Sequence, residues 1–147
     1  MKVIFLDVDG VLNFEGCKEK INGVYFVNDN RIKLLKQIVE RTNAKLVLSS
    51  DWRYWWDEPD ESFEGLVKKL EENGMELFSK TPITKHGYRG AEIHQWLNEW
   101  NGEEIESFVI LDDGNDMKPY MDKLVQTSYN HGLRRKNVEK AVKLLSQ

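Results

Sequence analysis

Short apolar runs alternate along this chain with stretches whose apolar residues recur every three or four positions. The first run, Val3-Ile4-Phe5-Leu6, is β-rich and stops at Asp7, as a strand buried on both faces does. From Asn13 to Asn28, turn formers and glycines flank Val24-Tyr25-Phe26-Val27, which fits a short flap or hairpin. Asp29 stands where a helix cap belongs, ahead of Ile32, Leu35, Ile38 and Val39 at helical spacing. Ala44 to Leu48 predicts a second buried strand, ending in Ser49-Ser50. A helix over about Ser62 to Glu72 meets a stop signal at Asn73-Gly74. Met75 to Phe78 predicts a third strand, and Gly90 to Trp100 a helix with Ile93, Trp96, Leu97 and Trp100 on one face. Phe108 to Leu111 predicts a strand that runs straight into Asp112-Asp113. Lys123 to Thr127 reads as a weaker strand, and Arg134 to Leu145 as a closing helix with Val138, Ala141, Val142 and Leu145 inward.

Strands alternating with helices predict an α/β fold of three layers around a mainly parallel sheet. Ligands in such folds bind beyond the carboxyl ends of the strands. The most polar of those ends are Asp7-Val8-Asp9, Ser49-Ser50 and Asp112-Asp113, so the topology predicts that they surround one site. The chain has 147 residues, the size of one ordinary domain, and no internal repeat or flexible linker divides it. The only interruption is the flap at about 13–28, too small to be a large cap domain.

Composition narrows the partners. Hydrophobic residues make up 40% and charged residues 31%, the balance of a soluble globular chain. A net charge of -4 gives no overall attraction for nucleic acid, so such binding would rest on a local patch. Cys17 is the only cysteine and has no internal partner, which predicts a reducing, cytoplasmic compartment. No stretch approaches the roughly 20 apolar residues of a membrane span, and the apolar start is too short for a signal peptide. His86, His94 and His131 have no zinc-ligand spacing with cysteine, and the sequence says nothing of oligomeric state.

The acids have a specific chemistry available. Carboxylates at alternate positions past a strand point the same way while the backbone stays extended. One can attack phosphorus as a nucleophile, and its neighbour can protonate the leaving oxygen and later take a proton from water. A phosphate dianion repels bare carboxylates, so the site needs a cation. Asp112 and Asp113 can hold Mg2+, a hard ion that prefers oxygen ligands. A hydroxyl such as Ser49 and a basic side chain would bind the remaining phosphate oxygens.

Asp-Val-Asp-Gly-Val after an N-terminal strand resembles the opening motif of the haloacid dehalogenase superfamily. Leu46-Val47-Leu48-Ser49 resembles its second motif, Arg89 stands where the basic third is expected, and Val109-Ile110-Leu111-Asp112-Asp113 resembles the fourth. Ser49-Ser50-Asp51-Trp52-Arg53 and Arg89-Gly90-Ala91-Glu92-Ile93, with Trp96-Leu97, look like the domains of Swiss-army-knife RNA-repair proteins. More loosely, they look like the phosphatase half of phage polynucleotide kinase-phosphatase. The resemblance implies a phosphatase with Asp7 as nucleophile, Asp9 as general acid and base, and Ser49 and Arg89 as phosphate ligands. It also implies Mg2+ held by Asp7, the backbone carbonyl of Asp9, and Asp112 or Asp113. The substrate it implies is a phosphorylated nucleotide or a polynucleotide end.

Several residues keep two readings. Ser50 competes with Ser49 as the phosphate hydroxyl, and Lys80 and Lys85 compete with Arg89 as the base. Arg53 is either a second phosphate clamp or a surface arginine paired with Asp51 or Asp57. Asp116 is either an extra acid of the site or a helix cap. Trp52, Tyr54, Trp55 and Trp56 either stack on bases or pack their loop. A small metabolite or phosphoprotein as substrate, or a binding module without catalysis, also fits the same motifs.

Overall fold

The central strand β1 (Lys2–Leu6) alternates its side chains between two buried faces, Ile4 and Leu6 on one and Val3 and Phe5 on the other. The computed structural model describes residues 1–147 and surrounds β1 with parallel partners on both sides. They are β4 (Lys45–Leu48), β5 (Leu77–Lys80), β6 (Ser107–Asp112) and β7 (Leu124–Gln126), in the order β5-β4-β1-β6-β7. Val3 pairs with Lys45 and Leu6 with Leu48 on one side, and Lys2 with Ser107 and Leu6 with Leu111 on the other. All four pairings are parallel, and both faces of the sheet are covered, so its inner strands read as unbroken apolar runs.

The larger layer packs α1 (Asp29–Thr42), α2 (Glu61–Glu72) and α4 (Arg135–Leu145) on the Ile4 face. Each helix buries one apolar stripe there: Ile32, Leu35 and Ile38; Phe63, Leu66 and Leu70; Val138, Ala141 and Leu145. The opposite face is covered by α3 (Arg89–Glu99), with Ile93 and Trp96 against Val3, Phe5, Val47 and Ile110. The result is a three-layer α/β fold without a large cap. Between β1 and α1 the chain makes a two-stranded hairpin, β2 (Lys20–Ile21) and β3 (Val24–Tyr25). The hairpin leans on α2 through Phe26, whose ring takes the space that a side chain at Gly65 would need.

The differences from the sequence reading are local. Asn28 caps α1, its side chain accepting from the Arg31 N–H, and Asp29 lies in the first turn. The third strand begins at Leu77 rather than Met75, because Gly74 takes a φ of 73° and carries the chain round first. Within the apolar run Val24 to Val27, only Val24–Tyr25 pairs, while Phe26 and Val27 turn into the core. Arg134 is the cap of the last helix, its N–H bonded to the Asn137 side chain at 2.8 Å.

Candidate active site

Because β1 lies between β4 and β6, the carboxyl ends of those strands stand side by side. The Asp7 N–H still donates to the Leu111 carbonyl at 3.0 Å, and the Ser49 N–H to the Leu6 carbonyl at 2.8 Å. Sheet hydrogen bonds thus bring segments remote in sequence to one point. There the carboxylates of Asp7, Asp112 and Asp113 each offer an oxygen within 4.8 Å of the others.

Three acids at that spacing repel one another, and burial sharpens the repulsion. Burial is the main cause that holds the Asp7 pKa well above the usual carboxylate range; the charge of Asp112 adds to it, and the Arg89 guanidinium opposes it. Asp112 is pushed up to about 6, by burial first, with the Gly114 N–H and Arg89 opposing and Asp113 and Asp116 adding. The second carboxylate oxygen of Asp112 is buried without any hydrogen-bond partner. An orphaned buried oxygen in an all-carboxylate set fits a hard divalent cation such as Mg2+.

Ser49 stands one residue beyond the Leu6–Leu48 pair, alongside Asp7, and its hydroxyl is likewise buried without a partner. Ser50 is different. Its hydroxyl accepts the Trp52 N–H at 3.1 Å and caps the short 3-10 turn Asp51–Trp55, so unlike Ser49 it already has a structural partner. Arg89 opens α3 and reaches across to donate to the Ser49 carbonyl, with Asp51 3.2 Å from its other terminal nitrogen. Its charge acts on both Asp7 and Asp112. Lys80 instead lies over the Trp56 ring and 3.9 Å from Asp57, and Lys85 is exposed on a turn.

The largest correction concerns Arg53. It is not a surface arginine paired with Asp51 or Asp57, for it is 3% exposed, and its guanidinium is held by partners inside the protein rather than offered to a phosphate. It donates to the carbonyls of Ser50 and Pro82 and to the Thr81 hydroxyl, and it pairs with the buried Glu92 at 3.1 Å. Asp116 turns out to be a cap, though of a helix that precedes it. Its carboxylate accepts the Arg89 N–H at 3.3 Å and its carbonyl the Gly90 N–H at 2.9 Å. The aromatic run divides: Trp52 is buried, Trp56 packs on Phe63, and Tyr54 and Trp55 face solvent.

The family model described as "HAD domain in Swiss Army Knife RNA repair proteins" matches residues 3–138. The chain belongs to this family of haloacid dehalogenase domains. No curated protein and no solved structure matches it. Membership points to phosphatase-type function, and the buried acids are compatible with Mg2+ binding. No helix is long and apolar enough to cross a membrane.

This haloacid dehalogenase domain also holds Asp9 in a way that its motifs do not disclose. The Asp9 carboxylate is exposed and stays outside the triad of acids. One of its oxygens accepts the Asn13 amide at 2.8 Å, and the other accepts the Trp52 indole N–H at 3.2 Å. Asn13 is itself fully buried and accepts the Gly10 N–H at 2.9 Å. Gly10 takes a φ of 81°, and a Cβ there would overlap the Asp113 carboxylate. Thr127, past β7, donates to the Gly10 carbonyl at 2.6 Å and fixes the turn from the other side. Sequence reasoning passed over Asn13, Thr127 and Glu92. The one available signal was a lone asparagine directly after the apolar pair Val11-Leu12.

Proposed function

We propose that this domain hydrolyses phosphate monoesters on a nucleotide or nucleic-acid end through an aspartyl-phosphate on Asp7. The observation that carries the reading is the triad of buried Asp7 and Asp112 with half-buried Asp113, beside a buried, unpartnered Ser49 hydroxyl. Asp7 attacks phosphorus, forming the acyl-phosphate bond as the bond to the leaving oxygen breaks. Asp9 gives its proton to that oxygen, and the alcohol departs. Asp9 then takes a proton from the water that attacks the phosphoenzyme, which releases inorganic phosphate and restores Asp7. Ser49 donates to a phosphate oxygen, and Arg89 supplies positive charge to the same group. Asn13 and Trp52 orient Asp9 and touch no reacting atom. Asp7, the Asp9 carbonyl and Asp112 or Asp113 would hold Mg2+, which would supply positive charge against the nucleophile and the phosphate.

On this reading residues 1–147 act as one catalytic domain, and the hairpin is the flap beside an otherwise open site. Openness suits a substrate longer than a small metabolite. The test is phosphate release from an aryl phosphate, nucleoside monophosphates, sugar phosphates and oligonucleotides with 3′ or 5′ phosphates. Each is run with Mg2+, with chelator, and with Asp7→Asn. Turnover that requires both Mg2+ and Asp7 supports the mechanism. Turnover of sugar phosphates alone refutes the nucleotide substrate, and no turnover on any member refutes the hydrolase.

A further inference from the structure

The indole of Trp52 has two neighbours. Its N–H is bonded to the Asp9 carboxylate at 3.2 Å, and its ring lines a groove of about 440 Å3. That volume lies within the roughly 300–1,000 Å3 of ordinary ligand pockets. The groove runs between the tip of the hairpin, at Ile21, Asn22 and Val24, and the aromatic turn, at Tyr54 and Trp55. Tyr54 and Val24 are each 63% exposed and Trp55 47%, so large apolar surface is left open beside the acids. Isolated exposed apolar residues need no explanation; several lining one cavity mark a binding surface.

Two considerations fix what enters. A general acid must stand within hydrogen-bond reach of the oxygen that it protonates, so the leaving group lies on the Asp9 side of the phosphorus. Trp52 is on that side, and the groove opens beyond it. Charge is the second consideration. The charged side chains on the lining are Asp51 and Asp60, and no lysine or arginine is among them. Asp51 already pairs with Arg89, and Asp60 caps α2 by accepting the Phe63 N–H at 2.8 Å. A second phosphate would find no counter-charge here, whereas a neutral planar ring finds aromatic faces.

Resting on the phosphatase reading above, we propose that this groove is the leaving-group subsite and takes the base of the nucleoside that carries the scissile phosphate. Tyr54 and Trp55 supply the stacking faces, and Val24 and Ile21 of the hairpin form the facing wall. Recognition ends at that one nucleoside, so a polynucleotide chain beyond it adds little.

The experiment compares kcat/KM for nucleoside monophosphates with that for ribose 5-phosphate, which lacks the base, in wild type, Trp55→Ala, Tyr54→Ala and Trp55→Phe. The base is expected to contribute a preference of roughly 5- to 150-fold, the range measured for aromatic–base stacking. That preference should shrink several-fold in each alanine variant, through KM, and return in Trp55→Phe. Both side chains are about half exposed, so unchanged thermal midpoints show that the fold is intact. Ribose 5-phosphate turned over as well as the nucleotides, or a preference unmoved in both alanine variants, overturns the subsite while leaving the hydrolase standing. An oligonucleotide favoured tenfold over the mononucleotide, with a KM that rises steeply with salt, overturns recognition limited to one nucleoside. Where nothing is turned over, calorimetric titration of the Asp7→Asn protein with unphosphorylated nucleosides decides the subsite alone. Binding that Trp55→Ala abolishes supports a base site in the groove although the hydrolase has failed, and no binding overturns the base site as well.

Discussion

Replacing Glu92 by Gln tests the assignment of Arg53 to the protein's interior. Glu92 and Arg53 have side chains 1% and 2% exposed and meet at 3.1 Å, so the substitution leaves a guanidinium buried without its counter-charge. Gln keeps the size of the side chain and an oxygen for the Thr84 N–H, which Glu92 accepts at 2.8 Å. The loss is therefore mainly electrostatic. Breaking one side of a buried pair costs about 3–5 kcal/mol. Against a total stability of about 5–15 kcal/mol the variant stays folded or becomes marginal. At about 2–4 °C per kcal/mol for a chain of this size, the midpoint falls by roughly 6–20 °C. Equilibrium unfolding in urea at pH 7, beside a thermal scan, measures both. The double variant Arg53→Met/Glu92→Gln should recover part of the loss, because no charge is then left buried and the Thr84 N–H keeps its acceptor. A cost below about 1 kcal/mol for Glu92→Gln would refute the argument. So would a wild-type midpoint in Arg53→Met combined with a raised KM for phosphate esters, which would return Arg53 to the substrate.

Other outcomes follow from the same geometry. Asn13→Ala removes one of the two donors that hold Asp9 and strands the buried Gly10 N–H; it should lower kcat about tenfold with little change in KM, and cost about 1–3 kcal/mol in unfolding. Gly10→Ala forces a Cβ against Asp113 at a φ of 81°, so the Mg2+ concentration for half-maximal activity should rise several-fold, with about 1–2 kcal/mol lost in stability. The pH dependence in chelator has a definite sign, because Asp7 and Asp112 both titrate above their unfolded values. The folded protein therefore binds protons more tightly: the contribution of Asp112, fully present below about pH 4, is lost as pH rises through about 6, and that of Asp7 is lost in the same direction. Asp112→Asn should stabilise the chelated protein at pH 7 by about 2–3 kcal/mol, and urea unfolding that shows no gain refutes the cost of holding this buried carboxylate charged. Saturating Mg2+ should stabilise wild type at pH 7, by about 2.7 kcal/mol at a hundredfold excess over its dissociation constant.

The parts that the sequence disclosed are those governed by periodicity and by strand ends. A run such as Val3 to Leu6 has few ways to satisfy its backbone other than an inner strand, and the acids that follow it must then lie at the carboxyl end of the sheet. The convergence of Asp7, Ser49 and Asp112 was legible for that reason. Arg53 was not, because an arginine beside tryptophans reads as surface until Glu92 is seen beneath it, and that pairing spans 39 residues. The cap role of Ser50 was hidden for a related reason: a serine that caps a turn and one that does not look alike until the Trp52 N–H is placed. Asp116 shows the same limit, since the helix it caps lies earlier in the chain.

These hidden contacts share a direction. Arg53 with Glu92 ties the Ser49-Ser50 end of β4 to α3, and Asp116 ties the start of α3 to the segment after β6. Asn13 and Trp52 tie Asp9 to the turn after β1 and to the turn after β4. Three of the four links join segments that carry different residues of the site, so most of these polar bonds beyond the sheet act on relative position at the strand ends. The sheet alone would bring Asp7 and Asp112 together but would leave Asp9 free to turn. A carboxylate that must give and then recover a proton at one oxygen needs a fixed bearing. The buried repulsion within the triad points the same way, for it destabilises the fold and is useful only where a cation or phosphate arrives to relieve it.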